Sequence, residues 1–234
     1  MTTLTEEVIE LAGLRTIVIS PSAPRFVVVM LHGYGMTPED LSPFAHSMKL
    51  PMAFLVPEAP LHAIPSGRAW WEMDQHRRAL ALVDGPRDLC REHPAGAAAA
   101  RAGLLAFLDE SARRWKGCGR SIVGFSQGGM LACDTMLRER PDVAMLALLS
   151  ASRITADEWQ PLAHRLRGVP VLVSHGRKDA DLAFSAGRAL FDLVQSGGAR
   201  ATWVPHDQGH EIPLVVWRAL RKFLLGGMAE MRGV

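Results

Sequence analysis

A serine set between glycines, an aspartate and a histidine, in that order along 234 residues, are the side chains of this sequence best suited to covalent chemistry. Gly124-Phe125-Ser126-Gln127-Gly128-Gly129 follows the apolar run Ser121-Ile122-Val123 and leads into a helical pattern. A serine oxygen that attacks a carbonyl must stand clear of the sheet on a tight turn. Glycines two positions to either side remove side chains that would collide there. Gly129 lets the following helix pack close, and the helix start aims N–H groups and a positive dipole end at developing negative charge. The five-residue pattern alone is common; its strand–turn–helix setting makes it informative. The competing reading is a glycine-rich turn with an ordinary serine.

Serine is a weak nucleophile at its own pKa, so a base and an orienting acid must lie elsewhere. With this kind of turn the acid comes first along the chain and the base second, each just past a strand end. Val171-Leu172-Val173-Ser174-His175-Gly176-Arg177-Lys178-Asp179 supplies Asp179, with Asp181 as competitor. Thr202 to Glu211 supplies His210, with His206 as competitor. His206 and His210 also have the spacing of a helical zinc pair. Pro205 and Gly209 favour loop instead, and no third ligand is suggested, so no metal is expected. A tetrahedral intermediate needs two N–H donors on its oxygen. The backbone of Gln127 offers one, and Tyr34 in Leu31-His32-Gly33-Tyr34-Gly35 the other. Met36, Trp70, Trp71 and Met73 are expected to line an apolar acyl pocket. Turnover should rise as pH climbs past the ordinary imidazole range, about 6.5.

These residues need a scaffold, and the apolar patterning describes one. Short β-branched runs at Arg15–Ser20, Phe26–Leu31, Met52–Val56, Arg120–Phe125, Met145–Ser150, Val169–Ser174 and Thr202–Pro205 read as about seven strands. Several are apolar throughout, as strands covered on both faces are. Helices alternate with them: one opened by Thr37-Pro38-Glu39-Asp40, one over Ala97–Trp115, one from Leu182 closed by Gly197-Gly198, and one from about Pro213 to Leu225. The expected class is α/β, a single domain over residues 1–234 with a mostly parallel central sheet and helices on both faces. Glu58 to Pro94, rich in Pro, Gly and aromatics, reads as a nearly structureless excursion over the active site.

Composition narrows the function classes. The chain is 48% apolar and 21% charged with a net charge of +2, which argues against nucleic-acid capture, disorder and a disulfide scaffold. No apolar stretch approaches the roughly 20 residues that cross a bilayer, so no membrane span is expected. Acidic Glu6, Glu7 and Glu10 stand where a secretory leader would be basic, and Cys90, Cys118 and Cys133 are odd in number, so a cytoplasmic location is expected.

The ordered set LHGYG, PEAP, GRAWWEMD, GFSQGGM, HGRKDADL and GHEI resembles the bacterial phospholipase/carboxylesterase family, the branch of α/β hydrolases that includes the acyl-protein thioesterases. The resemblance implies an α/β-hydrolase fold, with Ser126, Asp179 and His210 as triad and Tyr34 and Gln127 as oxyanion donors. It also implies cofactor-free hydrolysis of short- to medium-chain carboxylic esters or thioesters by a monomer or homodimer. Two departures lie in the binding loops: Trp70-Trp71 is followed by acidic Glu72, and Ser150-Ala151-Ser152-Arg153 places a charge near the expected site. They raise an alternative, a substrate whose acidic group is held by Arg153. A lactone hydrolase or peptidase would use the same groups, and a non-catalytic binding module on the same scaffold is the rival from another class.

Overall fold

The computed structural model describes residues 4–230, so residues 1–3 and 231–234 of the expected domain lie outside the described ones. Eight strands form one sheet: β1 (Leu4–Leu11), β2 (Leu14–Pro21), β3 (Phe26–Leu31), β4 (Ala53–Pro57), β7 (Gly119–Phe125), β8 (Met145–Leu149), β9 (Pro170–Gly176) and β10 (Arg200–His206). Their order is β1-β2-β4-β3-β7-β8-β9-β10, while β5 (Leu61–His62) and β6 (Arg68–Ala69) form a separate ribbon. From β4 across to β10 every neighbouring pair is parallel; β1 and β2 join antiparallel.

The all-apolar strands sit in the middle because both of their faces are covered. Val27, Val29 and Leu31 of β3 face one core, and Val28 and Met30 face the other. The first core is closed by α3 (Ala97–Arg114), α4 (Gln127–Arg138), α5 (Ala156–Leu162) and α6 (Phe184–Ser196). The second is closed by α1 (Pro38–Met48) and α7 (Leu214–Glu230). Asp40 reaches back to accept the Thr37 N–H at 2.7 Å, which caps α1 as its opening residues predict. The fold is α/β with a mostly parallel sheet and helices on both faces.

Two expectations are corrected. The sheet has eight strands, because the acidic N-terminal segment forms β1. Seven of its eight residues are exposed or half-exposed with no apolar alternation to betray it, and its carboxylates suit an open sheet edge. Its hairpin turn is Ala12-Gly13, both at positive φ (50° and 76°), without the Asn-Gly signature. The stretch from Glu58 to Pro94 is likewise not structureless. It holds the β5–β6 ribbon and helix α2 (Gln75–Val83), none of whose residues is buried. A helix lying over a cavity rather than on a core shows no apolar stripe.

Candidate active site

The parallel strands end on one edge of the sheet, and there the chain delivers its reactive side chains, as open α/β sheets do. Ser126 follows β7 directly at φ 52° and ψ −118°, a region that side-chain-bearing residues rarely adopt. The glycines make the turn feasible. A Cβ on Gly124 would lie 2.4 Å from the Gly128 carbonyl oxygen, and one on Gly128 would lie 2.4 Å from the Leu31 oxygen. On Gly129 it would meet Ala151 at 2.9 Å. The Ser126 N–H donates to the Leu149 carbonyl at 2.8 Å, which ties the turn to β8.

Ser126 Oγ donates to His210 Nε2 at 2.9 Å, and His210 Nδ1–H donates to Asp179 Oδ2 at 2.6 Å. An ionised carboxylate only accepts, so the proton on Nδ1 leaves Nε2 free as acceptor. The other oxygen of Asp179 accepts the backbone N–H groups of Asp181 and Leu182, each at 2.9 Å. Burial alone would push the Asp179 carboxyl up; the hydrogen bonds from His210, Leu182 and Asp181 outweigh it and hold it below the ordinary range. Behind it lies His175, fully buried, donating from Nε2 to the Leu182 carbonyl at 3.0 Å and 3.4 Å from Asp179 Oδ2. The ring packs where any side chain on Gly187 of α6 would stand. Sequence reading passed over His175; its place at the end of a buried strand, four residues before the acid, was the available signal.

The two competitors fall elsewhere. His206 is buried with neither ring nitrogen bonded among the described residues, and it does not reach Ser126. Asp181 pairs with Arg87 at 2.6 Å and Arg78 at 3.2 Å.

Around Ser126 the N–H groups of Gln127 and Tyr34 have no partner among the described residues and stand free for an oxygen. Gly33 between them and the serine is tightly set: a Cβ there would lie 3.2 Å from Ser126 Cβ and 3.1 Å from Phe125. The Gln127 side chain does a second job that the spacing did not reveal. Its Oε1 accepts the Trp70 N–H and its Nε2 donates to the Trp71 carbonyl, both at 2.9 Å, clamping the tryptophan loop to the turn. Trp70 Nε1 donates to the His32 carbonyl at 2.9 Å, bracing the loop that carries Tyr34.

Ser126, His210, Tyr34 and Gln127 open on a cavity of about 740 Å³ between the strand ends and the 58–94 segment. Met36, Trp71 and Met73 line it together with Met130, Leu89 and Ile154. Trp70 and Arg153 do not. The indole of Trp70 is turned inward by its bond to His32, and Arg153 points to Asp88 at 3.8 Å with its Nε buried. Both expected pocket contacts are therefore corrected.

Comparison with known proteins accords with this geometry. Residues 25–215 match the family model described as Serine hydrolase (FSH1). No curated protein matches the chain by sequence. Among solved structures, esterase PE8 superposes with a TM-score of 0.75 at 24% identity, over 96% of this chain and 99% of that one. A carboxylesterase from Mesorhizobium loti gives 0.74 at 22% identity, over 94% and 99%. Acyl-protein thioesterase 2 of Zea mays gives 0.74 at 18% identity, over 91% and 98%. At these identities the likeness is one of fold, the α/β-hydrolase fold that the motifs imply. With the family model spanning most of its length, the chain belongs to the serine hydrolase (FSH1) family and is an esterase-type enzyme.

Proposed function

We propose that the protein hydrolyses carboxylic esters or thioesters of short to medium acyl chains through an acyl-enzyme on Ser126. The observation that carries this is the unbroken hydrogen-bonded chain from Asp179 through His210 to Ser126, facing a half-apolar cavity. His210 Nε2 takes the Ser126 proton as Oγ attacks the acyl carbonyl. The N–H groups of Gln127 and Tyr34 receive the oxyanion, a contribution worth about 2.7–4 kcal/mol per donor. Asp179 keeps the imidazole in the tautomer that accepts at Nε2 and stabilises the imidazolium once formed. His210 then protonates the departing alcohol or thiol. Water, deprotonated by the same imidazole, releases the acid and restores Ser126. Met36, Trp71 and Met73 supply the apolar wall for the acyl chain.

A cytoplasmic location fits three cysteines that form no disulfide among the described residues, and with it goes a monomer or homodimer, as the sequence resemblance implies. The test is a panel of p-nitrophenyl esters from acetate to decanoate, with a thioester and a peptide anilide, on wild type and Ser126→Ala. Esters and thioester should turn over with an optimum below decanoate, the anilide should not, and Ser126→Ala should lose on the order of 10⁶-fold. Wild-type rates in Ser126→Ala would refute the assignment.

A further inference from the structure

The cavity that opens on Ser126 carries a feature that ester hydrolysis does not use. Helix α2 turns Arg77, Arg78 and Ala81 toward the cavity, with Asp84 just past its end, while Leu80 and Val83 stand 58% and 83% exposed. A helix covering a purely apolar pocket would point its leucine and valine inward. This one is reversed, and its basic residues meet a third arginine from the loop that follows, Arg87.

Arg87 is fixed firmly. Its backbone forms a parallel bridge to Leu182, with Arg87 N–H donating to the Asp181 carbonyl and Ala183 N–H donating to the Arg87 carbonyl, both at 2.9 Å. It is thereby attached to the loop that carries Asp179. Its side chain is only 11% exposed. Nη2 donates to Asp181 Oδ1 at 2.6 Å; Nε is buried without a partner, and Nη1 makes no hydrogen bond among the described residues. Arg78 shares the same carboxylate, with Nε 3.2 Å from Oδ1 and Nη2 3.2 Å from Oδ2. Two guanidinium groups on one carboxylate leave an unbalanced positive charge, partly removed from water.

The cavity wall also carries carboxylates, but they are engaged elsewhere or exposed to water. Arg77 is matched by Glu92 at 2.8 Å. Asp74 accepts the Arg77 N–H and Asp88 the Cys90 N–H. Glu72, Asp74, Asp84 and Asp88 are all exposed, where water and salt screen them. The group most removed from water is Arg87 on Asp181, 11% and 19% exposed, with Arg78 more open at 32%, and the unused Nη1 of Arg87 is the donor left for a bound anion.

We infer that the cavity takes an ester or thioester that also bears a free carboxylate, gripped by Arg87 with Arg78 beside it. A planar guanidinium with unused N–H groups suits a carboxylate, and Arg87 takes the part that Arg153 was expected to play. The inference rests on the serine-esterase reading and adds the substrate class.

The test compares kcat/KM for p-nitrophenyl monoadipate and for its methyl ester, which is neutral and of nearly the same shape. Wild type should prefer the monoanion by about 10- to 100-fold. Arg87→Met should bring that ratio close to one, mainly through KM, and Arg87→Lys should restore part of it. A wild-type ratio at or below one, or a ratio unchanged in Arg87→Met, overturns the inference. Should Arg87→Met fail to fold, inhibition of the methyl ester's hydrolysis in wild type decides. Adipate should compete; no inhibition, or stronger inhibition by inorganic phosphate than by adipate, would overturn the carboxylate assignment. Cleavage of both esters without preference removes this inference alone. Cleavage of neither removes the serine-esterase reading beneath it.

Discussion

Ser126 is held in a backbone conformation that costs on the order of 1–3 kcal/mol, and its surroundings leave it no alternative. The same crowding decides which neighbours tolerate change. In the proposed oxyanion site Tyr34 acts through its main-chain N–H, while its hydroxyl donates to the Ile64 carbonyl and accepts the Ile64 N–H. Tyr34→Ala should therefore cost less than about tenfold in kcat, whereas Gly33→Ala, whose Cβ would press on Ser126 and Phe125, should cost about 10- to 100-fold. Steady-state kinetics on p-nitrophenyl butyrate decides, and the reverse order would remove Tyr34 from the oxyanion site. At this scale the sequence was informative wherever spacing carries the chemistry. Ser126, Asp179 and His210 lie far apart in the chain, yet each follows a strand that ends on the same edge. Side-chain direction is not encoded in spacing. Trp70 and Trp71 look equivalent as letters, and only the Trp70 indole bond to His32 and the cavity lining show which one faces the cavity.

Helix α4 and helix α2 bracket the cavity with opposite properties. All but one of the residues of α4 are buried, whereas α2 buries none and is held by its Asp74 cap and polar contacts. Local opening free energy follows burial, so α2 should open far more readily than α4. In hydrogen–deuterium exchange the amides of residues 77–84 should exchange at least about 100-fold faster than those of residues 130–137. Equal protection would mean that α2 is part of the rigid frame. Among the elements missed in the sequence, β1, α2 and β5 are largely exposed, so neither period 2 nor period 3.6 marks them, while α5 is a two-turn helix too short to show a stripe although its Trp159 is buried. The buried strands and α3, α6 and α7 were legible because two covered sheet faces impose apolar runs and stripes on them.

Among the described residues three imidazoles are enclosed: His32, His175 and His206. Burial pushes each below the ordinary histidine value of 6.5, aided at His206 by the neighbouring His175. The unfolded chain then binds protons that the folded one refuses, so stability falls as pH drops through and below 6.5. Asp179 and Asp181 are displaced in the same downward direction, from a lower starting value. Both are held below 3.8 in the fold, so what they contribute persists through that window and is lost only at lower pH. The melting temperature should be at least about 3 °C lower at pH 5.5 than at pH 7.5. A flat or rising profile would mean that these histidines are charged in the fold.

Covalent labelling by a fluorophosphonate reads the activated serine without any assumption about substrate. With the probe in excess, one label per chain should appear on the peptide containing Ser126, and it should vanish in His210→Ala while the protein remains folded. No label, or a label on another residue that survives loss of His210, would contradict the hydrogen-bonded chain as the source of the chemistry.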